Sequence, residues 1–70
     1  MKIPLKDIQV KCSECGSEAT AQEINDDIYR YHDNTGALVR FPQDGLTLEQ
    51  VHKIPSMGLV CELCFEWRED

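Results

Sequence analysis

The chain has 70 residues, of which 41% are hydrophobic and 29% charged, so it has room for one small domain spanning residues 1–70. Thirteen acidic against seven basic residues give a formal net charge of −6, which disfavours nucleic-acid binding because that affinity depends on basic side chains that displace counterions. No apolar run approaches the roughly 20 residues that span a bilayer. The first ten residues lack a signal-peptide hydrophobic segment, so we expect a cytoplasmic protein without membrane contact.

The N-terminal segment is predicted to form two strands. Residues 8–11 alternate apolar and polar side chains and predict a strand that runs into Cys12. Gly16 then allows the positive φ that a tight turn requires. Residues 17–24 predict a second strand, although their Ala, Gln and Glu content also favours a helix.

The middle of the chain has the pattern of a β-hairpin. Two strands, residues 28–32 and 37–41, flank the turn sequence Asp33-Asn34-Thr35-Gly36. With a four-residue loop, the register places Tyr31 opposite Leu38 and His32 opposite Ala37.

One short helix and two short strands are predicted after the hairpin. Thr47 and Gln50 match a capping box, and Pro55 limits the helix that they begin to about two turns. Residues 57–60 then predict a strand leading into Cys61. Residues 65–68 predict a last strand with Phe65 and Trp67 on one side.

Two CxxC motifs carry the strongest chemical signal: Cys12-Ser13-Glu14-Cys15 and Cys61-Glu62-Leu63-Cys64. Two residues between cysteines let a tight turn direct both sulfurs at one ion, and four sulfurs suit a tetrahedral Zn²⁺. In a reducing cytosol such cysteines indicate metal ligands in preference to disulfides. We therefore predict one Zn²⁺ per chain bound by Cys12, Cys15, Cys61 and Cys64, with iron, a redox-active dithiol or disulfides as the alternatives. With four thiolates available, His32 and His52 are interpreted as ordinary surface or hairpin residues.

The metal is also expected to decide whether the chain folds. Forty-five residues separate Cys15 from Cys61, so this long loop must carry its own structure. A core of this size supplies about 3–5 kcal/mol, whereas structural zinc contributes about 10–16 kcal/mol in finger peptides.

The two cysteine pairs resemble those of the zinc-ribbon and rubredoxin-like group of metal-binding folds. The resemblance covers residues 11–16 and 60–64, and only the first pair is followed by the usual glycine, Gly16. It implies a small, metal-stapled, mainly β, zinc-ribbon-like fold with a central β-hairpin and one short helix. It implies little about function, since proteins of many functions share these folds.

No pattern in the sequence predicts catalysis. Both cysteine pairs are assigned to metal, an all-cysteine site keeps no open position for a substrate, and the isolated glycines form no phosphate-binding loop. The leading hypothesis is a non-catalytic acidic interaction module or regulator whose protein partner has a basic surface, including the basic groove of a nucleic-acid-handling enzyme. The alternatives are a rubredoxin-like iron electron carrier and a nucleic-acid-binding zinc ribbon. Tyr31 and Trp67 are predicted contact anchors, with packing in the core as the competing interpretation for both.

Overall fold

The computed structural model describes residues 1–67. Six short strands lie within this range: β1 (Lys2–Ile3), β2 (Gln9–Lys11), β3 (Glu18–Thr20), β4 (Tyr31–His32), β5 (Leu46–Thr47) and β6 (Val60–Cys61). The α-helices of the same range are α1 (Ala21–Asn25), α2 (Leu48–Lys53) and α3 (Glu62–Trp67). Two 3₁₀ helices, Leu5–Asp7 and Ile54–Met57, complete the described elements.

The strands form three separate antiparallel pairs. β2 and β3 make a local hairpin around the first cysteine pair, with Val10 opposite Ala19. The other two pairs join distant parts of the chain: β1 pairs with β5, and β4 pairs with β6 so that Tyr31 lies opposite Cys61. The long-range pairs bring the second cysteine pair back to the first.

Two threonines turn a strand directly into a helix. The Thr47 side chain accepts from the backbone N–H of Gln50, whose side chain accepts from the Thr47 N–H, which confirms the predicted capping box. Thr20 and Glu23 make the same reciprocal contacts at the start of α1. The prediction of a strand over residues 17–24 is therefore correct only as far as Thr20, where the second capping box begins a helix.

The predicted hairpin is reduced to one isolated bridge in a shifted register, because residues 37–41 form no strand and, of residues 28–32, only β4 does. His32, not Tyr31, bridges Leu38, and the Val39 N–H donates to the Tyr31 carbonyl at 2.9 Å. The Asp33 carboxylate accepts from the Thr35 and Ala37 N–H groups, which extends the predicted four-residue loop to Ala37. The shift places Val39 opposite Tyr31, where both side chains are buried.

The C-terminal prediction is also corrected. The segment predicted as a strand from residue 57 is 3₁₀ helix at Met57, and the strand itself is only β6. Phe65 and Trp67 lie on helix α3, where a last strand was expected; Arg68 lies outside the described residues. Residues 1–67 thus hold three α-helices in place of one, and the fold is a small one of short hairpins and few helices beside a four-cysteine cluster.

The described residues share one hydrophobic core. Its largest fully buried side chains are Tyr31, Val60 and Cys12. These residues belong to the segments that meet at the cysteines, so packing and the cysteine cluster position one another. Within residues 1–67, no helix has the length and apolarity needed to cross a membrane.

Candidate metal centre

The fold brings all four predicted cysteines into one cluster. The Sγ atoms of Cys12, Cys15, Cys61 and Cys64 all lie within 4.8 Å of one another, and those of Cys15 and Cys61 are 3.7 Å apart. A tetrahedral site with Zn–S bonds of about 2.3 Å has sulfur–sulfur edges of about 3.8 Å. The spacing and the all-sulfur donor set therefore fit a tetrahedral metal ion.

The first cysteine pair lies on a tight turn closed by the β2–β3 hairpin. The Cys12 N–H donates to the Ser17 carbonyl at 2.8 Å, and the Gly16 N–H donates to the Cys12 carbonyl at 3.1 Å. Gly16 has φ +80°, which confirms the predicted need for glycine after Cys15. This turn directs the N–H groups of Glu14 and Cys15 at the Cys12 sulfur, each at 3.4 Å.

The second pair is built differently, at a strand-to-helix junction. Cys61 is the last residue of β6 and Cys64 lies in the first turn of α3. Phe65 continues that helix, so no left-handed residue is needed after Cys64. The Phe65 ring stacks on the His32 ring, with the ring centroids 4.3 Å apart. The glycine turn typical of zinc ribbons is therefore present at the first cysteine pair alone.

Two hydrogen bonds and the side chain and backbone of Tyr31 hold the two cysteine pairs of the site together. The Cys61 N–H donates to the Cys12 sulfur at 3.4 Å, and the Ser13 N–H donates to the Leu59 carbonyl at 2.8 Å. Tyr31 reaches both halves, because its backbone pairs with Cys61 while its hydroxyl donates to the Ser17 carbonyl at 3.2 Å. The sequence pattern does not predict this role of Tyr31, since a register shift of one residue reverses the face on which a side chain lies.

The electrostatics of the cluster favour a bound cation. Burial opposes ionisation of Cys12, but the N–H groups of Cys15, Cys61 and Glu14 outweigh it and lower the pKa of Cys12 to about 6. The Ser17 hydroxyl, 2.9 Å from the Cys15 sulfur, lowers the pKa of Cys15. Hydrogen bonding with Cys15 and Cys61, followed by burial, raises the pKa of Cys64. Four thiolates in this space would repel one another, and a cation bound between them removes that penalty.

One edge of the cluster faces solvent. Cys12 is buried at 1% exposure, Cys61 and Cys64 are partly buried, and Cys15 is exposed. An open groove of about 470 Å³ lies beside this edge, lined in part by Leu63 and Trp67.

The two aromatic residues proposed as contact anchors differ in their exposure to solvent. Tyr31 is completely buried, so its prediction as an exposed anchor is wrong. Trp67 is 82% exposed, so the competing interpretation of Trp67 as a core residue is wrong instead. Among the described residues, the cluster contains neither histidine. The His32 Nδ1 lies 3.3 Å from the Gly36 carbonyl, and His52 is exposed on α2.

No protein-family model, curated protein or solved structure matches this chain. The cysteine motifs are thus the extent of the likeness to zinc ribbons, and function is inferred from the site itself.

Proposed function

We propose that this chain is a non-catalytic protein that binds one structural Zn²⁺ through Cys12, Cys15, Cys61 and Cys64 and acts as a small acidic protein-interaction module. The observation that carries the proposal is the cluster of four sulfur atoms within 4.8 Å. Four thiolates fill all tetrahedral positions of a zinc ion, which leaves none for a reacting water or substrate. The ion would supply structural cross-linking, and the surface would supply the activity.

The charge of the chain indicates the kind of partner. A Zn²⁺ held by four thiolates carries a formal charge of −2, which takes the chain from −6 to about −8. Such a surface attracts a basic protein over a distance set by the ionic strength. A regulator that occupies the basic groove of a nucleic-acid-handling enzyme belongs to the same class.

Capture from host lysate tests the module function. The zinc-loaded full chain, immobilised and washed at increasing salt, is expected to retain a protein with a basic surface that elutes as salt rises. A matched column carrying the chelator-treated chain should retain much less of that protein, because the metal-free chain does not hold its fold. Retention of nucleic acid alone, or of no protein in excess over the control, would refute the function.

A rubredoxin-like electron carrier is the second candidate, and the solvent-exposed sulfur of Cys15 favours it. An iron-loaded protein would be red, so the colour and metal content of the purified chain separate the two. The second cysteine pair lies at the start of a helix and lacks a following glycine, which departs from the resemblance to zinc ribbons and to rubredoxins alike. Direct nucleic-acid binding is disfavoured by ion pairs of Arg30, which Asp27 holds at 3.2 Å and Glu62 at 3.9 Å.

A further inference from the structure

Three large apolar side chains lie exposed beside the cysteine cluster. Ile28, Leu63 and Trp67 are 67%, 68% and 82% exposed. Leu63 and Trp67 are four residues apart on α3 and therefore share one face of that helix. Exposed apolar side chains that lie together mark interaction sites, whereas scattered ones need no explanation.

Leu63 connects these side chains, because it lines two grooves that each contain one of the others. One groove is lined by Cys15, Leu63 and Trp67, and a second is lined by Ile28, Tyr29 and Leu63. We name the surface formed by Ile28, Leu63 and Trp67 the Leu63 surface. Cys15, Cys61 and Cys64 also line its first groove, so this surface adjoins the cysteine cluster.

The charges around the Leu63 surface are predominantly negative. Glu14 lines the first groove and Glu62 the second, and Glu66 is exposed next to Trp67 on α3. Among the described residues, Arg30 alone contributes a basic side chain to these two grooves, and it is paired with Asp27 at 3.2 Å and with Glu62 at 3.9 Å. Four thiolates with one Zn²⁺ would add a further formal −2 beneath the first groove.

We propose, on the basis of the proposed function, that the Leu63 surface binds a basic amphipathic helical segment of the partner protein. Apolar side chains of that segment cover Leu63 and Ile28. Lys or Arg side chains of the same segment lie against the carboxylates and over the Trp67 ring, which attracts cations through its face. Charge complementarity selects this occupant over a second copy of the chain, whose own carboxylates would be repelled.

A peptide titration with the zinc-loaded full chain tests the surface. The probe is a Leu/Lys amphipathic helical peptide without tryptophan, so that emission from Trp67, the single tryptophan of the chain, reports its binding. We expect a saturable blue shift and an affinity that falls as salt rises. A peptide with Glu in place of every Lys is expected to bind at least about tenfold more weakly.

Variants locate the binding site by anisotropy of a dye-labelled copy of the same peptide. Leu63→Ala and Trp67→Ala are each expected to weaken binding at least about tenfold, while the matched control Leu48→Ala, 56% exposed on α2, changes it less than about twofold. Zinc content and circular dichroism identify folded variants. Glu66→Lys keeps the test decisive if an apolar truncation fails to fold, and it should weaken binding several-fold.

Equal losses in Leu63→Ala and Leu48→Ala, equal binding of the Glu peptide, or a dimer in sedimentation that Leu63→Ala dissociates would overturn the assignment. So would a Trp67 blue shift with zwitterionic vesicles but not with the peptide. Failure of the proposed function looks different. If the host column retains no protein while the peptide binds at Leu63, the module function fails and the surface assignment stands. If a host protein binds Leu63→Ala as well as the wild type, only the surface assignment fails.

Discussion

Replacing Tyr31 tests how the two halves of the site are held together. Tyr31→Ala removes a completely buried ring, and Tyr31→Phe removes only the hydroxyl that donates to the Ser17 carbonyl at 3.2 Å. That carbonyl keeps a second donor, the Cys12 N–H at 2.8 Å, so Tyr31→Phe leaves it hydrogen-bonded. The two changes therefore separate the ring from the hydroxyl.

The expected magnitudes differ severalfold. Truncation of a buried aromatic ring to Ala lowers the free energy of unfolding by about 3–5 kcal/mol. A core of this size supplies a similar amount, about 3–5 kcal/mol. Like the wild type, Tyr31→Ala should fold only with zinc bound, and its free energy of unfolding should then be about 3–5 kcal/mol smaller than that of the wild type. Loss of one hydrogen bond with its acceptor still satisfied costs about 1 kcal/mol.

Urea titrations at a fixed, buffered concentration of free Zn²⁺ measure these differences, because the apparent stability depends on free ligand. Tyr29→Ala is the matched control: Tyr29 is 40% exposed, and its loss should change the free energy of unfolding by less than about 0.5 kcal/mol. Equal effects of Tyr29→Ala and Tyr31→Ala would refute the reasoning. So would a Tyr31→Ala chain of wild-type stability with reduced affinity for its partner.

Four further outcomes are expected. Native mass spectrometry should show one Zn²⁺ per chain, lost with chelator together with the folded spectrum; a bare chain lighter by four hydrogens would indicate two disulfides instead. Cys12→Ser should lower zinc affinity more than Cys15→Ser in a chelator competition, because three N–H groups converge on the Cys12 sulfur and one hydroxyl contacts that of Cys15; the reverse order would contradict it. Gly58→Ala should lower the free energy of unfolding by at least about 1 kcal/mol, since Gly58 has φ +65° and an added Cβ would lie 2.5 Å from the Asn34 amide. Adding Asn34→Ala should relieve the steric clash and leave the backbone strain. An unchanged urea midpoint in Gly58→Ala would refute both the strain and the clash. Burial, with lesser contributions from Cys61, Cys12 and Cys15, raises the pKa of Tyr31 from 10 to about 12. The stability that this shift contributes is therefore complete below pH 10 and is lost as the pH rises through about 12. A phenolate absorbance step near pH 12 should be missing from Tyr31→Phe.

The parts of the site that depend on local sequence were predictable. The cysteine spacing, the glycine after Cys15 and the capping box at Thr47 each involve residues within a few positions of one another. The turn at Gly16 and the capping box form as expected, and the four cysteines meet in one cluster, although the second pair lies at the start of a helix and not on a tight turn.

The errors arise where distant segments decide the outcome. Tyr31 pairs with Cys61, thirty residues away. This strand pairing fixes which face of β4 is buried. A hairpin pattern between Tyr31 and Leu38 contains no information about that third segment. The helix at Phe65 and Trp67 shows the same limit, since apolar residues at alternate positions fit a strand as well as one turn of helix.

The order in which the two cysteine pairs leave the ribosome follows from their separation. At about 5–20 residues per second, the 45 residues between Cys15 and Cys61 take roughly 2–9 s to synthesise. Hairpins close in microseconds, so the turn at Cys12 with its inward N–H groups can form as soon as residues 9–20 are clear of the ribosome. Until the second pair follows, Cys12 and Cys15 lack two of the four thiolates that the site requires. The four-thiolate site is therefore completed only after Cys64 has left the ribosome, so tight metal binding comes after the synthesis of residues 1–64.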